Sequence, residues 1–328
     1  MLATRRKMLR RMAAGLVGLL AAPAGVRAQG AFPTQPIRLV VPFSAGGTAD
    51  VLARLVATQL QTRYGYTVVV ENRTGAAGNI GAMLVAKAPP DGHTLVLGTI
   101  GIHAAYTIYR NLGYDPAKDL RPVIVLGEVP CVLVVNPDLP IHSLDQFVAF
   151  AKANPDKLTY GSAGVGASTH LVGELFQQAA NVKLRHVPYR GSSMAMTDLM
   201  GGQISAMFEQ VTTAAPIAEA GKIRALGVTS LQRSAAMADV PTISELAFPG
   251  FAGTSWFAIA TGAAVPDAIV DKLNRDISAI LSAGELTELW KKLAVTVMGG
   301  SGAAAEKYFV AEREKWGKVI DAANIHID

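Results

Sequence analysis

The chain has 328 residues, with 30 Lys and Arg against 25 Asp and Glu, a formal charge of +5. Residues 1–28 hold six of the basic residues (Arg5, Arg6, Lys7, Arg10, Arg11 and Arg27) and no acidic one, so the remainder has 24 against 25 and a formal charge of −1. The basic balance belongs to the leader, and net charge therefore gives no case for binding nucleic acid or a membrane surface.

The leader has a basic start, an apolar run over residues 12–24, and small residues at Val26 and Ala28. That order predicts a secretory signal peptide cleaved before Gln29, and hence a periplasmic protein. The run is shorter than the roughly 20 residues a bilayer span needs. Thr4-Arg5-Arg6-Lys7-Met8-Leu9 also resembles a twin-arginine export signal, so both the general and the twin-arginine routes stay open. Cys131 is the single cysteine and lies in an apolar run. It makes no internal disulfide and reads as a small buried apolar residue.

After the leader, short apolar strands alternate with amphipathic helices. Residues 37–42 predict a strand, 50–63 a helix, 67–70 a strand stopped by Glu71-Asn72-Arg73, 80–87 a helix and 95–97 a strand. This beginning predicts a mainly parallel sheet covered by helices. The pattern restarts with strands at 123–126 and 132–135, a helix at 143–153 that Ser143 can cap, a strand ending at 159–161 and a helix at 168–180. A strand at 225–229 and a return from Ser255-Trp256-Phe257 follow, then helices at 267–282, 286–293 and 303–323. The expected fold class is α/β, with two lobes, residues 29–128 plus 254–328 and residues 129–253, joined by two crossovers around a cleft. Such clefts are a preferred place for ligands.

Two loops carry the chemistry. Pro42-Phe43-Ser44-Ala45-Gly46-Gly47-Thr48-Ala49-Asp50 and Gly161-Ser162-Ala163-Gly164-Val165-Gly166-Ala167-Ser168-Thr169-His170 each lead from a strand end into a helix start. Small residues let main-chain N–H groups approach a ligand, and a helix start adds unsatisfied donors and a positive dipole end. Neither loop contains Lys or Arg. They therefore suit a carboxylate better than a polyphosphate. There is no G-x-x-x-x-G-K-[ST] stretch, and Gly164-Val165-Gly166 does not complete G-x-G-x-x-G. No cofactor and no metal are expected; His170 and Glu174 are spaced i,i+4 but lack a third ligand nearby in sequence.

Residues 36–50, 70–81, 86–95, 161–171, 186–192, 199–203 and 239–242 together resemble the Bug family, the solute receptors of tripartite tricarboxylate transporters. The resemblance covers nearly all of the chain after the leader. It implies a type II periplasmic-binding-protein fold, closure on a small carboxylate, and docking to a membrane permease of a large and a small subunit. It also implies a ligand pocket between the two loops, drawing on Phe43, Ser44, Ala45, Gly46 and Asp50 from one lobe and on Ser162, Gly166, Ala167, Ser168 and Thr169 from the other. Thr99, His103 and Tyr189 are further candidates. Ser205-Ala-Met-Phe-Glu209 stands where the family often carries Asp near a Phe, which puts the role of Glu209 in question. The partners expected are the carboxylate and the permease, with no nucleic acid, and the receptor is expected to be a monomer. An enzyme acting on a carboxylate and a ligand-dependent partner of a sensor are the alternatives; no G-x-S-x-G or H-E-x-x-H supports the first.

Overall fold

A computed structural model describes residues 32–327. The leader and its expected cleavage site lie outside the described residues. From Gln35 onward the chain forms a single unit by its internal contacts.

Two groups of strands build it, and both follow one plan. In the first, β1 (Ile37–Val41) pairs in parallel with β2 (Val68–Asn72) on one side and β3 (Thr94–Thr99) on the other. β3 then meets β9 (Thr254–Gly262) antiparallel, and β9 meets the first part of β4 (Leu120–Val135). In the second, β5 (Thr159–Ser162) lies in parallel between β6 (Arg185–Pro188) and β7 (Ala206–Gln210). β7 meets the last part of β4 antiparallel, and β8 (Arg224–Val228) lies on the far side of β4. The sheet is thus mixed rather than mainly parallel, because the long strands β4 and β9 run against the βαβ units beside them.

Helices fill the connections: α1 (Thr48–Tyr64), α2 (Asn79–Ala86), α3 (Leu144–Ala153), α4 (Ser168–Ala180), α5 (Ser192–Met200), α6 (Val211–Glu219), α7 (Asp267–Leu281), α8 (Thr287–Lys292) and α9 (Gly302–Ala323). Local chemistry sets several starts. Ser143 caps α3 by accepting from the Gln146 N–H at 3.2 Å, and Ser301 caps α9 from the Ala304 N–H at 3.2 Å. Gly65 closes α1 in the left-handed region at φ 70°, a conformation glycine adopts without steric cost.

The two strands expected at 123–126 and 132–135 are one strand of 16 residues. Gly127 and Pro130 looked like punctuation, yet Pro130 pairs only at the last rung against Thr254, where its missing N–H costs little. β4 thereby passes from one strand group to the other. The buried Thr229 hydroxyl fastens this passage to the returning chain. It accepts from the Cys131 N–H at 2.9 Å and lies within hydrogen-bond reach of the carbonyls of Cys131 and Gly253. Cys131 is fully buried, and burial pushes its thiol up to about 12.

Candidate functional site

In each strand group the first strand lies between the second and the third. Its two neighbours in sequence thus lie on opposite sides of it, and the crevice outside the carboxyl ends of the strands at such a point is the usual ligand position in such sheets. The two small-residue loops occupy these two places, β1 leading into α1 and β5 into α4.

The crevice closes around a cavity of about 20 Å³, enough for a single water and too small for an organic acid. It is lined by Phe43, Thr48, Ala163, Ser168, Ser192 and Gln210, with Gly47, Ala49, Thr99, Ala167 and Phe257 completing the wall. Thr48, Ser168 and Ser192 are the first residues of α1, α4 and α5. Three helix N-termini, each with unsatisfied N–H donors and a positive dipole end, therefore meet at one point. No Lys or Arg lines it. The Thr99 hydroxyl, buried at the wall, has no protein partner among the described residues. The arrangement offers main-chain N–H and hydroxyl groups, and no cationic side chain, at its wall.

Contacts between the strand groups hold the crevice shut. The Ser44 and Ser193 hydroxyls are 2.6 Å apart, those of Thr48 and Thr213 3.3 Å, and the Tyr109 hydroxyl donates to the Val165 carbonyl at 2.7 Å. Gln210 donates to the hydroxyls of Ser168 and Ser255, both at 3.2 Å, tying the start of α4 to the start of β9.

Of the residues picked out from sequence, Phe43, Thr99, Ala167 and Ser168 line the cavity. Others turn away from it to hold the loops. The Asp50 carboxylate accepts from the Gly46 N–H at 3.1 Å, from Arg54 at 2.9 Å and from Asn72 at 3.0 Å, and Asn72 also donates to the Phe43 carbonyl. Burial raises its pKa, but these donors outweigh it and hold it below the ordinary carboxylate value. Gly46 has thus given its N–H to Asp50, and Ala45 beside it is exposed. Ser44 bridges to Ser193 instead of facing the cavity. In the second loop the Ser162 hydroxyl contacts His186 at 2.6 Å and the Gly164 N–H donates to it at 3.1 Å. Thr169 accepts from the Ala163 N–H at 2.9 Å, and Gly166 donates to Nδ1 of His170 at 3.1 Å.

His170 and His186 stack at 4.0 Å and brace this loop from behind. Burial pushes His170 down to about 3 and His186 to about 4, so both are neutral at pH 7. Glu174 is occupied by Tyr160 at 2.5 Å and Gln177 at 2.8 Å, and the described residues contain no metal-binding group of three or more ligands.

His103 is withdrawn from the cleft. It is buried in a one-turn helix and stacks on Phe309 at 4.2 Å, so it cannot meet a ligand group. Tyr189 donates to Asp198 at 2.6 Å and lines a second, outer chamber rather than the inner cavity. Glu209 lies beneath the floor, 1 % exposed, bonded by the hydroxyls of Thr213 and Ser192. Burial lifts its carboxyl to about 7 against the pull of these bonds and of the Gln210 N–H. Sequence reasoning missed Ser192 and Gln210 as lining residues. The run Gly191-Ser192-Ser193 before Met194-Ala195-Met196 was the signal available for the first.

Fold and cleft define a type II periplasmic-binding-protein-like solute receptor. The family model described as the tripartite tricarboxylate transporter family receptor matches residues 52–325, and the chain belongs to that family. A UPF0065 protein in the tcbD-tcbE intergenic region of Pseudomonas sp. (strain P51) is 40% identical over 314 residues, covering 95% of this chain and 93% of that one. Among solved structures, R. palustris Rpa4515 with adipate has a TM-score of 0.87 at 39% identity, covering 90% of this chain and 99% of that one. The periplasmic binding protein BugD has a TM-score of 0.85 at 33% identity, with 90% and 99% covered. The family model describes transporter receptors, and BugD is a periplasmic binding protein.

Proposed function

We propose that this protein captures one carboxylate of a small organic acid at the meeting point of α1, α4 and α5, closes on it, and presents it to the membrane permease of a tripartite tricarboxylate transporter. The observation that carries this reading is the convergence of three helix starts on a cavity without cations. Such a site favours a singly charged, planar anion over a polyphosphate, which takes Lys or Arg as well. The adipate held by Rpa4515 supports the same class of ligand.

In this reading residues 29–128 with 254–328 form one lobe and 129–253 the other. They part about β4 near Gly127–Pro130 and about the return near Pro249–Ser255. The inner cavity has room for about one water when shut, so opening precedes loading. The ligand is released unchanged. The leader is removed before Gln29, and the mature receptor acts as a monomer in the periplasm.

Calorimetric titration of a panel of aliphatic and aromatic carboxylates tests the proposal. A panel member should bind, and Ser168→Ala should weaken it by about tenfold or more, as loss of a hydrogen bond to a charged group does. Binding of a panel acid unaffected by Ser168→Ala would move the site elsewhere. Recovery of a chemically altered acid would replace the receptor reading by an enzymatic one.

A further inference from the structure

The Glu209 carboxyl beneath the floor is linked to two of the three helix starts. Its Oε1 accepts from the Thr213 hydroxyl at 2.6 Å, and that hydroxyl stands 3.3 Å from the hydroxyl of Thr48, the first residue of α1. The Ser192 hydroxyl, at the start of α5, bonds Glu209 as well. Ser192 lines the inner cavity, so a single hydroxyl group separates this carboxyl from whatever the cavity holds. The other oxygen, Oε2, is buried without a protein partner among the described residues.

No cation answers Glu209. The elements packed against β7 are β4, β5, α4, α5 and α6. On β4, Cys131 stands one rung away, opposite Gln210, and its thiol is neutral. Arg121 and Glu128 lie nearer the other end of that strand, where Asp267 engages the first and Tyr308 the second. Tyr160 of β5 bonds Glu174 of α4, His170 of α4 is held neutral, and Asp198 of α5 is bonded by Tyr189. Glu219 is exposed at the last residue of α6. The cavity wall itself carries no charged side chain. Burial of Glu209 is therefore opposed by hydrogen bonds alone, those of Thr213, Ser192 and the Gln210 N–H, and its carboxyl stands at about 7.

A carboxylate captured in the cavity places a second negative charge one hydroxyl away, with no counter-charge between the two. Carboxylates so arranged do not both ionise. We infer that Glu209 takes up a proton from solvent when the receptor captures an acid, so that binding at the helix starts is coupled to protonation of the carboxyl beneath them. The inference rests on the proposed reading of the inner site. The proton goes to Glu209 rather than to the ligand because an ordinary carboxylic acid ionises near pH 4, well below the buried group. The hydroxyls carry the coupling to the cavity wall. Ionised Glu209 can only accept, so it claims the Ser192 proton and leaves that hydroxyl only lone pairs for the cavity. Protonated Glu209 is itself a donor, and the Ser192 proton is then free for the anion. Glu209 is thus a positioning residue, which sets the direction of a wall hydroxyl without touching the ligand.

The test is calorimetric titration of adipate, malate, butyrate and benzoate at pH 6.5, 7.5 and 8.5, each in two buffers of different ionisation enthalpy, which yields both affinity and the protons exchanged. For an acid that binds, wild type should take up protons at pH 7.5 and 8.5, to a limit of about one per ligand. Its affinity should fall by about tenfold or more from pH 6.5 to pH 8.5. Glu209→Gln should take up none and keep one affinity across the range. A second readout needs no variant. In infrared difference spectra of wild type at pH 8, a ligand labelled with carbon-13 at its carboxyls should raise an unlabelled carboxylic-acid carbonyl band. Capture without proton uptake would overturn the inference and leave the inner site standing. So would uptake undiminished in Glu209→Gln, or absence of the unlabelled band. If none of the four acids binds, the reading of the inner site falls and the inference with it.

Discussion

The Ser44 hydroxyl lies 2.6 Å from the Ser193 hydroxyl, joining the loop after β1 to the first turn of α5. This contact is possible because Gly191 precedes it. A Cβ at Gly191, whose φ is 150°, would come within 2.7 Å of the Ser44 backbone N. Gly191→Ala is therefore expected to wedge the crevice open. Ligand affinity should fall by about tenfold or more, and small-angle scattering at saturating ligand should give a larger radius of gyration than wild type. Ser193→Ala removes only the hydroxyl and should cost at most about 1 kcal/mol of closure. Equal radii for Gly191→Ala and wild type would show that this approach is not what holds the two strand groups together.

Asp50 is expected to matter for the shape of the first loop rather than through contact with ligand. Its carboxylate gathers Gly46, Asn72 and Arg54. Asp50→Ala leaves the half-buried Asn72 amide short of an acceptor and should destabilise the protein by about 1–2 kcal/mol in urea unfolding. Its affinity for carboxylates should fall as well, because the Phe43 carbonyl and the Gly46 N–H lose their common anchor. Because its folded pKa is lowered, the contribution of Asp50 is full above the unfolded value of about 4 and is lost as pH falls below it. A stability indistinguishable from wild type at pH 7 would contradict this role.

Glu209 works in the opposite direction. Its folded pKa, about 7, is above the unfolded value of about 4.3, so the folded protein holds the proton more tightly. The associated stability is complete below about pH 4.3 and is lost as pH rises through about 7. Glu209→Gln cannot titrate. Its stability relative to wild type should therefore grow between pH 5 and pH 8, by at most about 3 kcal/mol. Denaturant midpoints of the two proteins across that range supply the comparison; a constant difference would mean that the carboxyl is not titrating there.

Much of this site was legible before the structure, and the reasons are local. The loops after β1 and β5 betrayed themselves by runs of Gly, Ala, Ser and Thr leading into amphipathic helices, and α4 begins at Ser168 as the pattern required. The direction of each polar group was not legible. Ser162, Thr169 and Asp50 could face a ligand or their own loop, and only the fold shows that their hydrogen bonds turn inward. The region from 185 to 219 was the least legible. β6 is short and only part-buried, and α6 contains Pro216, so neither gives a clean period. That region supplies Ser192, Gln210 and Glu209. His103 was misplaced because its partner Phe309 comes from α9, a contact between distant parts of the chain that no local pattern reveals.

His103 also yields a prediction about acid stability. Burial pushes it down to about 3, with the nearby Arg313 adding to the effect, against an ordinary value near 6.5. The unfolded chain takes up a proton that the fold refuses, so stability is full above about pH 6.5 and is lost as pH falls. His103→Leu should lower stability at pH 7 by loss of stacking on Phe309. It should also make the decline between pH 6 and pH 4 shallower by about 1.4 kcal/mol per pH unit. His170 and His186 remain to drive the rest of the decline. An unchanged slope in the variant would show that His103 is not held neutral by the fold.

The central claim is that a carboxylate is held where α1, α4 and α5 begin. The most direct measurement is a crystal structure of the protein grown with an acid that calorimetry has shown to bind. The account predicts one carboxylate within hydrogen-bond distance of N–H or hydroxyl groups of Thr48, Ser168 and Ser192, directly or through a single water, with the inner cavity enlarged beyond about 20 Å³ to admit it. An acid found outside the crevice, with those three helix starts still in contact only with protein and solvent, would contradict it.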